Sequence, residues 1–216
     1  MAKINILAYI RGLTAPNWAE GPDNPIVANN RGEICVVQAL PPAAELVRLG
    51  NSYFSLGTAV APVTALPTTA AHFSLWNGEN PGGKSYIIDA VGTMLNASAG
   101  AAINLGLAAQ LNTTNPIANP AGAIAIKSLS GKANYGGKGN TKASVTVTND
   151  SAWHEIGTQL VCASTANLTL SVEFPVYGRY IVPPQGMFSL ASLCNAAGTA
   201  TAFPIIFWHE AQIALG

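Results

Sequence analysis

The sequence predicts an all-β protein: an antiparallel β-sandwich of jelly-roll type, with an extended N-terminal arm and at most one short helix. Roughly ten short segments carry strand-like patterns, and turn residues separate them about every 8–12 residues. The predicted strands are not interleaved with helices of ordinary length, which excludes a parallel α/β sheet. The chain also ends in an antiparallel meander, which is typical of sandwiches.

The meander occupies the last forty residues. Val176–Val182 is predicted as a strand, Pro183–Gly186 as a tight turn and Met187–Cys194 as the next strand. Small residues at 195–201 form a second turn before the final strand, Ala202–Leu215. Proline and glycine mark these turns because they favour the required backbone angles.

Residues 1–31 are rich in Pro, Gly and Asn, which predicts an extended arm that precedes a sandwich domain at 32–216. The only predicted helix is Ala43–Leu49, which ends at Gly50. The other predicted strands are Glu33–Leu40, Ala71–Asn77, Lys84–Leu95, Ala102–Leu111, Ala123–Leu129, Ala143–Thr148, Trp153–Cys162 and Leu168–Phe174. Ser52–Leu56 and Thr58–Val63 are predicted as short extended pieces. Strict alternation along Lys84–Leu95 places Tyr86, Ile88, Ala90 and Gly92 on one face.

Charge is scarce in this chain of 216 residues. Asp, Glu, Lys and Arg make up 9% of it, and ten acidic and ten basic side chains cancel to a net charge of zero. About 25% is ordinary for a soluble domain. A surface with so little charge is poorly protected against association, so we expect other subunits to cover much of it. The alternative is a surface made soluble by Asn, Thr, Ser and Gln.

The same composition argues against two classes of partner. Ten scattered basic residues form no run that could neutralise a row of phosphates, so we expect no nucleic-acid binding. The N-terminal apolar stretch is interrupted by Asn5 and lacks a signal-peptide core and cleavage site. No uncharged apolar stretch of about 18 residues has helical character, and no membrane association is expected.

Catalytic and metal-binding patterns are weak. Two Trp-His-Glu triplets occur at 153–155 and 208–210, but neighbouring residues on a strand point to opposite faces and cannot converge on one ion. The Gly-x-Ser-x-Gly pattern of serine hydrolases is absent. Cys35, Cys162 and Cys194 lie in apolar runs, which predicts reduced, buried thiols. We therefore predict no catalytic residue, no cofactor and no metal.

Two groups of residues are the candidates for contact with a partner. Gly131–Lys142 is a flexible loop that could touch an anionic glycan or an acidic patch, although a solvated loop has the same composition. Its candidate ligand residues are Lys132, Tyr135, Lys138 and Lys142. The expected core or interface anchors are Trp76, Tyr180, Phe207 and Trp208.

The segments Tyr177–Glu210 and Pro67–Asp89 are similar to small structural proteins of tailed bacteriophages. In the first, a strand ends in Pro183-Pro184-Gln185-Gly186 and a closing strand carries Phe207-Trp208-His209-Glu210; in the second, Leu75-Trp76-Asn77 precedes Lys84-Ser85-Tyr86. The resemblance covers roughly residues 30–216. It implies a homotrimeric jelly roll of the tumour-necrosis-factor type on the virion, made in the cytoplasm of a bacterial host, and supplies no catalytic residue.

Together these observations predict a non-enzymatic virion protein that decorates or cements the phage head, with its own copies and the major capsid protein or another virion protein as partners. The arm at 1–31 suits a protein that grips its neighbours. One alternative is a tail or head-fibre protein that binds a host-surface glycan through Gly131–Lys142. Another is a carbohydrate-acting enzyme on a jelly roll, which would need paired carboxylates in one groove.

Overall fold

The computed structural model describes residues 42–68, 70–97, 102–112, 123–131, 135–147, 153–162, 168–195 and 200–213. The predicted arm at 1–31 and the predicted strand Glu33–Leu40 lie outside these residues. The chain divides into two compact units, 1–45 and 46–216, and both sheets belong to the second.

Within these described ranges, ten strands form two antiparallel sheets of five strands each. They are β1 (Ser52–Leu56), β2 (Ala70–Trp76), β3 (Ser85–Ala97), β4 (Ala102–Asn112), β5 (Lys127–Ser128), β6 (Asn140–Thr146), β7 (His154–Cys162), β8 (Leu168–Val182), β9 (Met187–Cys194) and β10 (Ala200–Ala211). The first sheet has the order β5-β1-β10-β3-β8, and the second has the order β6-β2-β9-β4-β7. Without β5 and β6, eight strands remain in the order of a jelly roll, which confirms the predicted fold class.

The predicted helix is confirmed as α1 (Pro42–Arg48). It ends where Gly50 adopts a φ of 75°, a left-handed conformation that glycine reaches without steric cost. The amide of Gly50 donates to Val47 at 2.9 Å, and the amide of Asn51 donates to Leu46 at 3.1 Å. These bonds satisfy carbonyls of the last turn and direct the chain into β1.

The main core lies between the sheets and is built from alternate residues of the strands. On β10, Ile206 and Trp208 are fully buried, and they meet Phe188 and Leu190 of β9 in one cluster. A smaller cluster around Leu95 extends this core and includes Cys194, whose predicted burial is confirmed. The period of two therefore predicts which side of β10 is inside.

Paired irregularities in β3 and β8 break the predicted alternation. The pairing jumps from Ile88 opposite Tyr180 to Ala90 opposite Pro175, so Asp89 bulges on β3 while 176–179 form an excursion on β8. Beyond the bulge the core side of β3 passes to Val91 and Leu95. The prediction that Ala90 and Gly92 share a face with Tyr86 and Ile88 was wrong, because one extra residue reverses every later side chain.

Four predicted extended segments differ most from the observed strands. Thr58–Val63 makes only isolated bridges, at Val60 to β10 and at Val63 to β9. Pro62 lies between them and has no amide hydrogen for a ladder. Of Ala123–Leu129 only Lys127–Ser128 pairs as a strand. The strands predicted at 168–174 and 176–182 form the single strand β8.

Candidate interaction surfaces

The outer face of the first sheet, which is turned away from the second sheet, is mostly apolar. Its side chains alternate with the core residues Tyr53 on β1 and Ile206 and Trp208 on β10. In register across the sheet, the large apolar members of this outer face are Phe54, Leu56, Ile87, Met94, Ile181, Phe203, Ile205 and Phe207.

These side chains are partly accessible. Leu56 is 41% exposed and Met94 is 37% exposed. Phe54 and Phe207, which lie opposite each other on β1 and β10, stack with ring centroids 6.0 Å apart and an angle of 25° between the planes. An antiparallel sheet with one solvated face normally alternates apolar inside and polar outside. Here both faces are apolar, which is the pattern of a sheet that contacts something on each side.

Few charged groups interrupt this outer face. Asp89 lies on the β3 bulge, and its Oδ1 is 2.8 Å from Nδ1 of His209. Lys127 lies opposite Phe54 at the β5 edge and is exposed. Glu173 lies opposite Gly92 at the β8 edge and is also exposed. The outer face therefore has one basic flank and one acidic flank, with apolar side chains and the Asp89–His209 pair between them.

The second sheet differs, because its central strand is buried on both faces. On β9, Phe188 and Leu190 belong to the main core, whereas Met187 and Ala191 belong to a separate cluster with Trp153. Ser189 lies on the same side of β9 as Met187 and Ala191. Its hydroxyl is 2.8 Å from that of Ser74, and both side chains are fully buried.

The predicted ligand loop is held against the sandwich. The Tyr135 hydroxyl donates to Oε1 of Glu210 at 2.6 Å and accepts from the amide of Gly139 at 2.8 Å. Lys138 lies 3.7 Å from the carboxylate of Glu79. Lys142 lies on β6, opposite Ser74, and Lys132 is outside the described residues. Two of the four candidate ligand residues thus make contacts within the chain.

Glu210 is the centre of this arrangement, which we call the Glu210 network. Its side chain is buried, and Lys84 Nζ lies 3.3 Å from Oε2. The hydroxyls of Tyr86 and Tyr135 are 3.2 Å apart. Burial raises the pKa of both tyrosines above 10.0, and the nearby carboxylate of Glu210 raises them further. Both phenols therefore stay protonated and serve as hydrogen-bonding groups.

The sequence contained one signal for this network. Glu210 follows Ile206 and Trp208 at the inward positions of β10, so alternation places its carboxylate on the core side. A carboxylate at such a position needs partners. Those partners, Lys84 and Tyr135, are 126 and 75 residues away in the sequence, and no local pattern could identify them.

The four predicted anchors do not all share one environment. Trp208 is fully buried in the main core, whereas Phe207 lies on the outer face of the first sheet. Tyr180 packs on Phe188, with ring centroids 5.3 Å apart. Trp76 packs beside the cluster of Met187 and Trp153. Only Phe207 combines a large apolar side chain with a position on the accessible face.

The two Trp-His-Glu triplets do not form a joint site. His154 lies on β7 of the second sheet, where its Nε2 contacts the hydroxyl of Tyr180. His209 lies on β10 of the first sheet and pairs with Asp89. Within the described ranges, His, Cys, Asp and Glu side chains nowhere gather in a group of three that could hold a metal ion.

The excursion in β8 presents one conspicuous side chain. Tyr177 is 82% exposed, and its φ of 49° is left-handed, a conformation that costs energy for a residue with a Cβ. Gly178 follows with a φ of 74°. These two consecutive left-handed residues form a local irregularity at the edge of the first sheet, and β8 pairs with β3 in the same direction on both sides of it.

In the part of the chain that the structure describes, no helix is long and apolar enough to cross a membrane. Comparison with models of protein families gives no match, and no curated protein matches the sequence significantly.

Proposed function

We propose that this chain is a non-enzymatic structural protein of a phage virion, which decorates or cements the capsid through assembly with its own copies and with a capsid protein. The observation that carries the proposal is the apolar outer face of the first sheet. A stable chain with 9% charged residues and an accessible apolar sheet face needs a partner surface. The phage context comes from the sequence resemblance at Tyr177–Glu210.

The width of the first sheet supports a trimer. Five strands span four spacings, about 19 Å in all. Three sheets of that width, set as the sides of a triangular prism, would each lie about 5–6 Å from the axis, close to the ~5 Å half-separation of packed sheets. Their apolar side chains would fill the centre. Four such sheets would stand about 10 Å from the axis and leave a void, which close packing disfavours.

Assembly can be tested through Phe207. We expect the wild-type chain to be trimeric by size exclusion with light scattering. Phe207→Ser should shift the equilibrium toward monomer, because it removes an apolar group from the outer face while the core neighbour Trp208 is untouched. Leu66→Ser is the matched control, since Leu66 is 43% exposed but lies outside the two sheets. A wild-type chain that stays monomeric at all concentrations would contradict the proposal.

Location on the virion needs a second experiment. Purified protein is mixed with empty capsids, and bound protein is measured by co-sedimentation. We expect binding by the full chain and its loss when residues 1–31 are deleted, with circular dichroism showing that the sandwich remains folded. Equal binding by both forms would contradict a role of the arm in capsid binding. If neither form binds, the capsid is not the partner.

A further inference from the structure

We infer that the outer face of the first sheet receives a second copy of this chain in a head-to-tail manner, with Lys127 of one copy meeting Glu173 of the next. The inference rests on the proposed function, because it names the surface and the partner of the assembly. It concerns the two charged flanks of this sheet.

The two charges lie at opposite edges of the first sheet. Lys127 is on β5 and Glu173 is on β8, the two outermost strands of the first sheet. The register places both on the outer face, Lys127 beside Phe54 and Glu173 beside Gly92 and Ile205. They are separated by about 19 Å, which is four strand spacings. At that distance they do not pair with each other within one copy, and both are exposed.

The partner that fits the apolar zone is another copy of this chain. The sheet spans about 19 Å across its strands, and the five residues of β1 extend about 17 Å along it, which gives an area of roughly 320 Å². This area is about two fifths of the ~800 Å² per partner in a specific interface. Another copy presents the same apolar zone and, at its two flanks, one charge of each sign. It therefore matches both the apolar and the charged parts of the surface, whereas a strongly acidic or basic partner would match only one flank.

A contact between the β5 flank of one copy and the β8 flank of another satisfies both charges. Around the three-fold axis of the proposed trimer, this contact repeats head to tail and closes into a ring. Contacts that place identical flanks together would bring Lys127 to Lys127 and Glu173 to Glu173. Like charges face to face are unfavourable. The charge pattern thus favours contact between unlike flanks, and in the proposed trimer this contact is head-to-tail.

One other charged side chain lies near the acidic flank. Arg179 is exposed on the β8 excursion, six positions after Glu173. Arg179 belongs to the excursion at 176–179, which does not pair with β3. It is therefore not in the row of the sheet in which Glu173 pairs with Gly92. Reversal of Arg179 therefore serves as a local control for general charge effects at the same edge.

The test is a reciprocal charge exchange. Lys127→Glu and Glu173→Lys are each expected to raise the dissociation constant for self-association by about tenfold or more, since each creates like-charge contacts. The double variant Lys127→Glu/Glu173→Lys should recover association to within a few-fold of wild type. Association is measured by sedimentation velocity over a concentration series, and circular dichroism checks the fold of every variant.

Glu155→Lys and Arg179→Glu are the matched controls, since Glu155 is an exposed carboxylate on the second sheet. We expect neither control substitution to raise the dissociation constant as much as Lys127→Glu or Glu173→Lys does. If both single reversals leave it unchanged, or the double variant is no better than either, the flank contact is wrong. That result leaves the proposed function intact when Phe207→Ser still dissociates the assembly. A monomeric wild-type chain would overturn both.

Discussion

Tyr135 donates a 2.6 Å hydrogen bond to the buried carboxylate of Glu210, and this contact ties a glycine-rich loop to the end of the last strand. We expect Tyr135→Phe to lower the free energy of unfolding by about 1–3 kcal/mol, because it leaves a buried carboxylate oxygen without this donor. Chemical denaturation with a far-ultraviolet signal measures the change.

The matched control for this prediction is Tyr177→Phe. Tyr177 is 82% exposed, so removal of its hydroxyl should change stability by less than about 0.5 kcal/mol. Equal effects of the two substitutions would mean that the Tyr135–Glu210 bond does not stabilise the fold.

Alkaline pH should destabilise the fold through the same network. Burial raises the pKa of Tyr86 and Tyr135 in the folded chain, whereas unfolded tyrosine ionises near 10.0. Above that pH the unfolded state releases protons that the folded state retains, so stability that is fully present below pH 10.0 falls as pH rises. Each such group adds a slope of up to about 1.4 kcal/mol per pH unit.

Denaturation series at rising pH measure this slope, with phenolate absorbance as a second signal. Lysines also titrate in this range, so the comparison is between wild type and Tyr135→Phe. We expect a shallower slope in the variant. Identical slopes would show that Tyr135 ionises equally in both states.

Mild acid should act through His72. Its Nδ1 accepts a hydrogen bond from the amide of Ser192 at 3.0 Å, and burial lowers its pKa below 6.5. As pH falls below 6.5 the unfolded chain takes up a proton that folded His72 resists, so stability is lost. His72→Asn keeps an acceptor near the amide but does not titrate. We expect the variant to lose less stability between pH 6.5 and about one unit lower.

The measurement for His72 is the difference between wild-type and variant unfolding free energies at each pH, which cancels the contribution of groups common to both. A constant difference across the window would contradict the prediction. The absolute stability of the variant does not enter this comparison.

The left-handed backbone of Tyr177 predicts a stabilising substitution. Tyr177→Gly should raise the unfolding free energy by about 0.5–1 kcal/mol, because glycine reaches a φ of 49° without the steric cost of a Cβ. Gly178→Ala is the opposite test: its φ is 74°, and the added Cβ would lie 3.1 Å from Ile87 Cγ2. Thermal unfolding of both variants should show shifts of opposite sign, and a destabilised Tyr177→Gly would argue against strain.

Strand patterns predicted most of the fold because the period of two is a local property. Met187–Cys194 was predicted with its observed bounds, and the inward side of β10 follows from Ile206 and Trp208. The bulge at Asp89 was not predictable, because it matches an excursion in β8 that begins 87 residues later in the chain, at Val176. Irregular pairing depends on both strands, and one sequence segment holds only half of the information.

The candidate surfaces show the same division. Phe207 was predicted as an anchor from its residue type, but its place on the outer face depends on the register with Phe54. The flexible loop was predicted from Gly131–Lys142, whereas the bond from Tyr135 to Glu210 is a long-range contact. Residue type predicts which side chains can bind, and only the pairing of distant strands shows what they face.

The excursion at 176–179 has a consequence for crowded copies of this protein. β8 is a 15-residue strand at the outside of a sheet, and an unbroken row of unpaired amides and carbonyls of that length could template fibrils. The two left-handed residues turn the backbone aside in its middle, and Pro175 offers no amide hydrogen there. The excursion therefore opposes continuous strand pairing between the β8 edges of neighbouring molecules at high concentration.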